Sequence, residues 1–164
     1  MSRAGEVTAK LARVRGWLDG SDFDAALFSS QPGVAWVTAG LDDRVVRNEE
    51  PALVWVLVTA AETWLITTNI EQPRILAEED IAGFSVHVVP WHSPRGLAGA
   101  VDDLAGGLKV NEGPTSLRMP LLNEEAERMT VLGADTAHAL EGAMRSWQPV
   151  ERRFWGARSD YQYR

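Results

Sequence analysis

The chain has 164 residues, of which 45% are hydrophobic and 24% charged, a composition typical of one globular domain and not of a disordered chain. Its formal net charge of -7 argues against nucleic acid or an anionic membrane as the main partner, because phosphate binding needs clustered Lys and Arg. Cysteine is absent, which excludes disulfides, thiolate metal sites and a cysteine nucleophile. Since no signal-peptide pattern or membrane-length apolar run is present, we expect a cytoplasmic protein.

The first forty residues predict a helix, a strand and a second helix. Gly20 is placed to end the first helix, whose apolar residues recur at helical spacing: Val7, Leu11, Val14 and Leu18. Residues 24–29 predict a short strand buried on both faces. Pro32 favours the first turn of a second helix, which runs from Ser30 and closes at Gly40.

The middle of the chain predicts a charged loop followed by alternating strands and helices. Residues 41–50 form the loop, which we expect to be exposed. Strands over 52–58 and 63–68 are joined closely enough to form a hairpin. The further elements predicted are a helix over 70–79 that Pro73 interrupts early, a half-buried strand over 84–89, a helix ended by Gly106-Gly107, a strand over 108–111 and a short sixth strand over 117–121.

This order indicates an α/β fold, in which a single domain has a mixed sheet of five or six strands flanked by helices. A long helix from Asn123 to about Trp147 follows, with acidic residues at its start and a weak apolar face. The tail from 150 to 164 carries four arginines against one Glu and one Asp, and we expect it to be partly disordered.

Four stretches resemble the N-terminal domain of the creatinase/prolidase family, which contains the aminopeptidase P-like Xaa-Pro peptidases. No single stretch is specific, but their order and spacing across residues 3–148 carry the resemblance. The stretches are the first helix and strand (10–28), the segment Ser29 to Gly40 with its Val-Ala-Trp-Val-Thr-Ala-Gly sequence, Leu65 to Arg74 after the hairpin, and Asn123 to Met129, which is similar to the start of the family's interdomain helix.

The resemblance implies a ribonuclease-H-like layer fold for residues 1–122, a remnant of the interdomain helix over 123–148 and a divergent tail over 149–164. In that family a second, "pita-bread" domain holds two metal ions with two Asp, one His and two Glu, and these ions activate water. No residue of this chain matches those ligands. The resemblance therefore implies a truncated, non-catalytic relative that holds no cofactor.

The residues themselves offer no complete catalytic set. His87 and His92 would need Asp102 or Asp103 as a third metal ligand, and solvated histidines are the plainer interpretation. Ser29-Ser30 lacks a nearby base and suits a cap or turn. The charged loop contains carboxylates that could act as an acid/base pair, but its own arginines are ready to neutralise them: Asp42, Asp43, Glu49 and Glu50 against Arg44 and Arg47.

We therefore predict a non-catalytic module that self-associates, as a dimer, or docks onto a full-length relative. The alternatives are a hydrolase that is active only together with a catalytic domain on another chain, and a relic without selected function. Contiguous apolar surface and the charged loop are the candidate interface. Its residues are Asp42, Asp43, Arg44, Arg47, Met129, Leu132, Leu140 and Trp147.

Overall fold

A computed structural model describes residues 2–43 and 52–147. These residues contain five α-helices and five β-strands. In chain order the elements are α1 (Arg3–Asp19), β1 (Ala25–Phe28), α2 (Gln31–Val37), β2 (Trp55–Thr59), β3 (Thr63–Thr68), α3 (Gln72–Glu78), β4 (Ser85–Val89), α4 (Gly96–Ala105), β5 (Val110–Glu112) and α5 (Asn123–Ser146).

The five strands form one sheet in the order β4-β3-β2-β1-β5. The pairs β1–β2 and β2–β3 are antiparallel, whereas β1–β5 and β3–β4 are parallel. This confirms the predicted mixed sheet and the predicted hairpin, in which Leu57 lies opposite Trp64.

The predicted sixth strand is wrong. Residues Thr115–Arg118 form a 3-10 turn in which the backbone N–H of Leu117 donates to the carbonyl of Pro114. Proline on either side, at 114 and 120, cannot donate to a strand ladder, which favours local hydrogen bonds instead. Leu117 is nevertheless buried, so its apolar side chain packs into the core from a turn.

Helices cover both faces of the sheet, as the sequence predicts. The larger cluster lies on the face that α1, α2 and α3 cover, and Val14, Val34 and Ile75 are almost wholly buried there. The smaller cluster lies on the opposite face and joins Leu57 and Ile66 to Val101 of α4. Both faces of the central strands are therefore apolar, which explains the nearly continuous apolar sequence of β1 and β2.

Helix α1 begins and ends at signals visible in the sequence. Ser2 accepts a hydrogen bond at its Oγ from the backbone N–H of Gly5 (3.2 Å), and Gly20 follows the last turn. The predicted face is confirmed, since Val7, Leu11, Val14 and Leu18 are all buried.

Two of the boundaries that differ from the predictions do so for identifiable reasons. Strand β2 begins at Trp55, because Ala52 and Val54 use their backbone N–H groups for bonds to Ser29 and Asp43 outside the ladder. Helix α3 begins at Gln72 and not at the predicted residue 70. Pro73 therefore lies in the first turn, where a backbone N–H has no partner within the helix and its absence loses no hydrogen bond. Strand β4 lies at the sheet edge, and its central residues are all half-buried without alternation.

The chain divides into two compact units, the first from Met1 to Pro120 and the second from Leu121 onward. Helix α5 belongs to the second unit. It spans about 36 Å at 1.5 Å per residue. The carboxylate of Glu125 accepts a hydrogen bond from the backbone N–H of Leu122 (2.8 Å), so the cap position is Leu122 and the first helical residue is Asn123, where the sequence predicts the helix to begin.

The predicted division at 122/123 and 148/149 stays a prediction. Within the described residues, no helix combines the length and apolar character that crossing a bilayer requires.

Candidate interaction surface

Asp43 fastens the start of the predicted charged loop to the sheet. Its Oδ2 accepts a hydrogen bond from the backbone N–H of Val54 at 3.0 Å, and the residue is buried. Leu41 is buried as well. The expectation of an exposed loop is therefore wrong for these two residues, because an N–H outside the strand ladder needs an acceptor and Asp43 supplies it.

Arg74 of α3 holds the same segment from the other side. Its guanidinium donates to the backbone carbonyls of Asp42 (3.3 Å) and Asp43 (3.2 Å), and it also bonds the carboxylate of Glu71. The backbone N–H of Asp42 donates to Glu79, which in turn pairs with Arg3. Sequence reasoning assigned no role to Arg74, since nothing in its spacing links it to a loop thirty residues earlier.

Asp42 is exposed, as predicted. The predicted neutralising partners, Arg44 and Arg47, lie outside the described residues, together with Glu49 and Glu50. Whether this loop takes part in an interface stays a prediction.

The structure does not bring the candidate metal ligands together. Asp103 and Asp102 on α4 pair with Arg95, at 2.9 Å and 3.6 Å. The hydrogen bond and charge of Asp103 raise the pKa of Arg95. His92 instead contacts the ring of Trp91 edge-on, with centroids 5.7 Å apart. Across residues 2–43 and 52–147, no three His, Asp or Glu side chains are grouped so as to hold a metal ion.

Ser29 links two strands through hydrogen bonds to one carboxylate. Its backbone N–H and its Oγ both donate to the carboxylate of Glu112, each at 3.0 Å. This pair of bonds joins the end of β1 to the end of β5. Ser30 occupies the N-cap position of α2 in extended backbone, as predicted, but its side chain makes no capping hydrogen bond.

A buried ion pair on α1 lies beside Trp36 of α2. Lys10 Nζ donates to Glu6 Oε1 at 2.7 Å, and the same nitrogen lies 5.6 Å from the centre of the Trp36 ring. The spacing contained the signal, since Lys10 is three residues after Val7 and four before Val14. Its burial makes it a packing feature with no access for a substrate.

Described residues of the first unit line at least two open cavities. The larger, of about 600 Å³, lies beside Thr8, Arg15 and Glu62. The guanidinium of Arg15 is committed to the carbonyl of Thr59 (3.1 Å) and the Oγ1 of Thr63 (3.0 Å). The smaller, of about 390 Å³, lies between Pro32 and Asp43, whose carboxylate bonds Val54. Arg15 and Asp43, which line these cavities, are thus hydrogen-bonded within the fold. Among the described residues, neither cavity brings catalytic groups together.

Helix α5 presents one apolar face. No residue of the helix is buried. At 3.6 residues per turn, the large apolar side chains and Thr136 fall on the same side, with spacings of three, four, four, four and three residues from 129 to 147. They are Met129 (60% exposed), Leu132 (59%), Leu140 (60%) and Trp147 (71%), with Thr136 between them and Met144 beside them.

The opposite side of α5 is polar, so the helix is amphipathic. Glu127, His138 and Glu141 lie there, and Glu141 pairs with Arg145 at 2.9 Å. Val131 is the exception, an exposed apolar residue on the polar side (61% exposed). The four α5 residues predicted for an interface therefore share one face, which is a condition for acting as a single surface.

No family model matches the chain, and no curated protein matches it. Among solved structures it is similar to an Xaa-Pro dipeptidase from Bacillus anthracis, at 12% identity and a TM-score of 0.49, over 74% of this chain and 30% of that one. Two Xaa-Pro aminopeptidases are also similar. The Streptococcus pyogenes protein has 16% identity and a TM-score of 0.45, over 63% of this chain and 70% of that one. The Streptococcus thermophilus protein has 14% identity and a TM-score of 0.45, over 69% and 98%.

The aligned part thus spans less than a third of the Bacillus anthracis dipeptidase. At these identities and TM-scores the likeness does not extend to activity, substrate or site residues.

Proposed function

We propose that this chain is a non-catalytic module, related to the N-terminal domain of Xaa-Pro peptidases, that forms a homodimer through the apolar face of α5. The sequence resemblance across residues 3–148 supports the relationship. The proposal includes a cytoplasmic location and no peptide hydrolysis by the chain alone.

One observation carries the association. A helix of 24 residues keeps Met129, Leu132 and Leu140 on one side, each about 60% exposed. Burying a side chain of this kind contributes about 1.5–3 kcal/mol. In proteins, most of the stability of an amphipathic helix comes from the packing of its apolar face. A second copy supplies such packing.

The side chains that might suggest catalysis are already used by the fold. Asp43 accepts from a backbone N–H of the sheet, and Ser29 is bonded to Glu112. Both side chains therefore have a structural role in the fold, which supports the non-catalytic part of the proposal.

Light scattering after size-exclusion chromatography tests the proposal at micromolar concentration. We expect a mass of twice the 18.0 kDa chain. Leu132→Glu combined with Leu140→Glu should give a monomer, since two carboxylates would have to be buried in the interface. Val131→Glu is the matched control for Leu132→Glu alone, because it adds the same single charge at an equally exposed position on the polar side and should leave the dimer intact.

A wild-type monomer, or equal effects of Leu132→Glu and Val131→Glu, would contradict the dimer. A monomer that is captured only by a longer relative of the family would identify that relative as the occupant of the face. A stoichiometric divalent ion on the purified chain, together with cleavage of an Xaa-Pro dipeptide, would overturn the non-catalytic role.

A further inference from the structure

We infer that the larger cavity of the first unit binds an apolar amino acid. The carboxylate of this ligand binds Arg15, its ammonium group lies beside Glu62, and its side chain contacts Phe84. The cavity measures about 600 Å³, within the range of about 300–1,000 Å³ that is usual for small-molecule sites. The residues that line it all belong to the first unit, so the inference is independent of the proposed dimer.

Arg15 places a half-buried positive charge at the cavity, and no carboxylate in residues 2–43 and 52–147 pairs with it. The two groups that it bonds are neutral. Its Nε donates to the carbonyl of Thr59 at 3.1 Å, and its Nη2 donates to Oγ1 of Thr63 at 3.0 Å. A partly buried charge without a counter-charge is unfavourable, and an anionic ligand would supply the missing partner.

The guanidinium of Arg15 also has an edge left for a carboxylate. Nε and Nη2 form one edge of the planar group, and that edge is bonded to the hairpin. The edge formed by Nη1 and the outer N–H of Nη2 makes no bond to the described part of the chain. Two parallel N–H groups of this kind match the two oxygens of a carboxylate. Because the hairpin already holds the guanidinium, binding would order little further.

Glu62 contributes a negative charge to the same cavity. Its backbone bonds Thr59, but its exposed carboxylate has no partner among the described residues. Thr8 also lines the cavity, and its hydroxyl donates to the carbonyl of Ala4 at 2.9 Å, which leaves the oxygen free to accept. A carboxylate and a hydroxyl acceptor suit an ammonium group. They disfavour a ligand with more than one negative charge, such as a phosphate ester.

Apolar surface completes the cavity. Leu11 is buried, and Phe84 is a half-buried ring packed against the larger core cluster. The wall is open beside this ring, since a Cβ added at Gly83 would meet nothing within 4 Å. The cavity thus combines a cation, an anion and apolar surface. An apolar amino acid carries the complementary groups, which are a carboxylate, an ammonium group and a hydrocarbon side chain.

Titration of the isotope-labelled chain with L-phenylalanine, followed by amide NMR, tests the inference. We expect saturable shifts at Thr63 and Gly83, which line the cavity, and none at Val110 in β5 at the far edge of the sheet. Three analogues each lack one group: phenylalaninamide the carboxylate, 3-phenylpropanoate the ammonium group, and L-alanine the ring. Each should bind more weakly than L-phenylalanine. An absence of saturable shifts at millimolar L-phenylalanine would overturn the inference.

Substitutions connect each group of the ligand to its residue. Arg15→Gln should weaken binding of L-phenylalanine about tenfold or more, because it removes charged hydrogen bonds, and it should not weaken binding of phenylalaninamide. Arg13→Gln is the matched control, since Arg13 lies on the same helix and bonds the carbonyls of Leu117 and Pro120 away from the cavity. Glu62→Gln should weaken L-phenylalanine about two- to fivefold, as expected for an exposed ion pair, and should not weaken 3-phenylpropanoate.

The substitutions can also overturn the inference. Equal losses in Arg15→Gln and Arg13→Gln would attribute the effect to net charge and not to the cavity. A loss in Arg15→Gln that is the same for phenylalaninamide as for L-phenylalanine would show that the guanidinium does not bind the carboxylate. If Arg15→Gln fails to fold, Glu62→Gln decides, because its exposed side chain has no partner in the described part of the chain. Unchanged binding of L-phenylalanine by that variant would overturn the assigned site.

Discussion

Lys10 and Glu6 form an ion pair of 2.7 Å inside the first unit, where their side chains are only 3% and 8% exposed. The two residues are one helical turn apart on α1, and both lie on the side of the helix that packs against the sheet. The ammonium also faces the ring of Trp36. A core position thus carries a charge that the surrounding structure must compensate.

Replacing Lys10 alone should destabilise the fold strongly. Lys10→Met removes the ammonium beside a buried carboxylate, and breaking a buried pair in this way costs about 3–5 kcal/mol. The measurement is urea unfolding followed by tryptophan fluorescence, compared with wild type at the same pH.

The double variant Glu6→Leu with Lys10→Met is the control for this prediction. It removes both charges, and we expect its free energy of unfolding to lie within about 1–2 kcal/mol of wild type, since apolar replacement of a buried pair is often neutral. A single variant as stable as wild type would show that the pair is not held in the interior.

Gly113 should not tolerate a side chain. A Cβ at this position would overlap the ring of Phe28, which is itself buried. Gly113→Ala should therefore lower the free energy of unfolding by about 1–3 kcal/mol through overpacking. Gly142→Ala is the matched control, because a Cβ there meets nothing within 4 Å and alanine favours a helix. Equal stability of the two variants would contradict the close approach.

Removing the carboxylate of Asp43 should free the segment that precedes β2. Asp43→Ala leaves the N–H of Val54 without its acceptor, which costs about 1–3 kcal/mol. Asp43→Asn keeps an oxygen acceptor and should cost less. Hydrogen exchange at Val54 distinguishes this cause from a general loss of stability, since Asp43→Ala should speed exchange there more than at Leu57 in the middle of β2.

The sequence predicts most elements because their periodicity is local. The four apolar residues of α1 and the glycines after α4 identify those helices without tertiary information. The start of β2 could not be predicted in the same way, because it depends on Asp43 reaching the N–H of Val54 across eleven residues. Lys10 is a third case, since its spacing indicates burial but its charge argues against burial, and the tertiary structure resolves the conflict by placing Glu6 and Trp36 beside its ammonium group.

The same distinction between local pattern and tertiary contact applies to the candidate interaction surface. The spacing of Met129, Leu132 and Leu140 predicts a shared helix face, and the structure places them on one. Which side chains of the loop are available could not be predicted, because the burial of Asp43 follows from its contact with the sheet.

Helix α5 should lose structure when the protein is diluted. No residue of α5 is buried in the part of the chain that the structure describes. In the proposed dimer its helicity is supported by the packing of its apolar face, and dissociation removes that packing. Circular dichroism at 222 nm should fall with dilution through the range in which light scattering reports dissociation. Leu132→Glu should show the lower signal at every concentration, and Val131→Glu should follow wild type. A helical signal that is independent of concentration, in a protein that dissociates, would show that α5 is stable by itself. Stabilisation of α5 would then no longer support dimerisation.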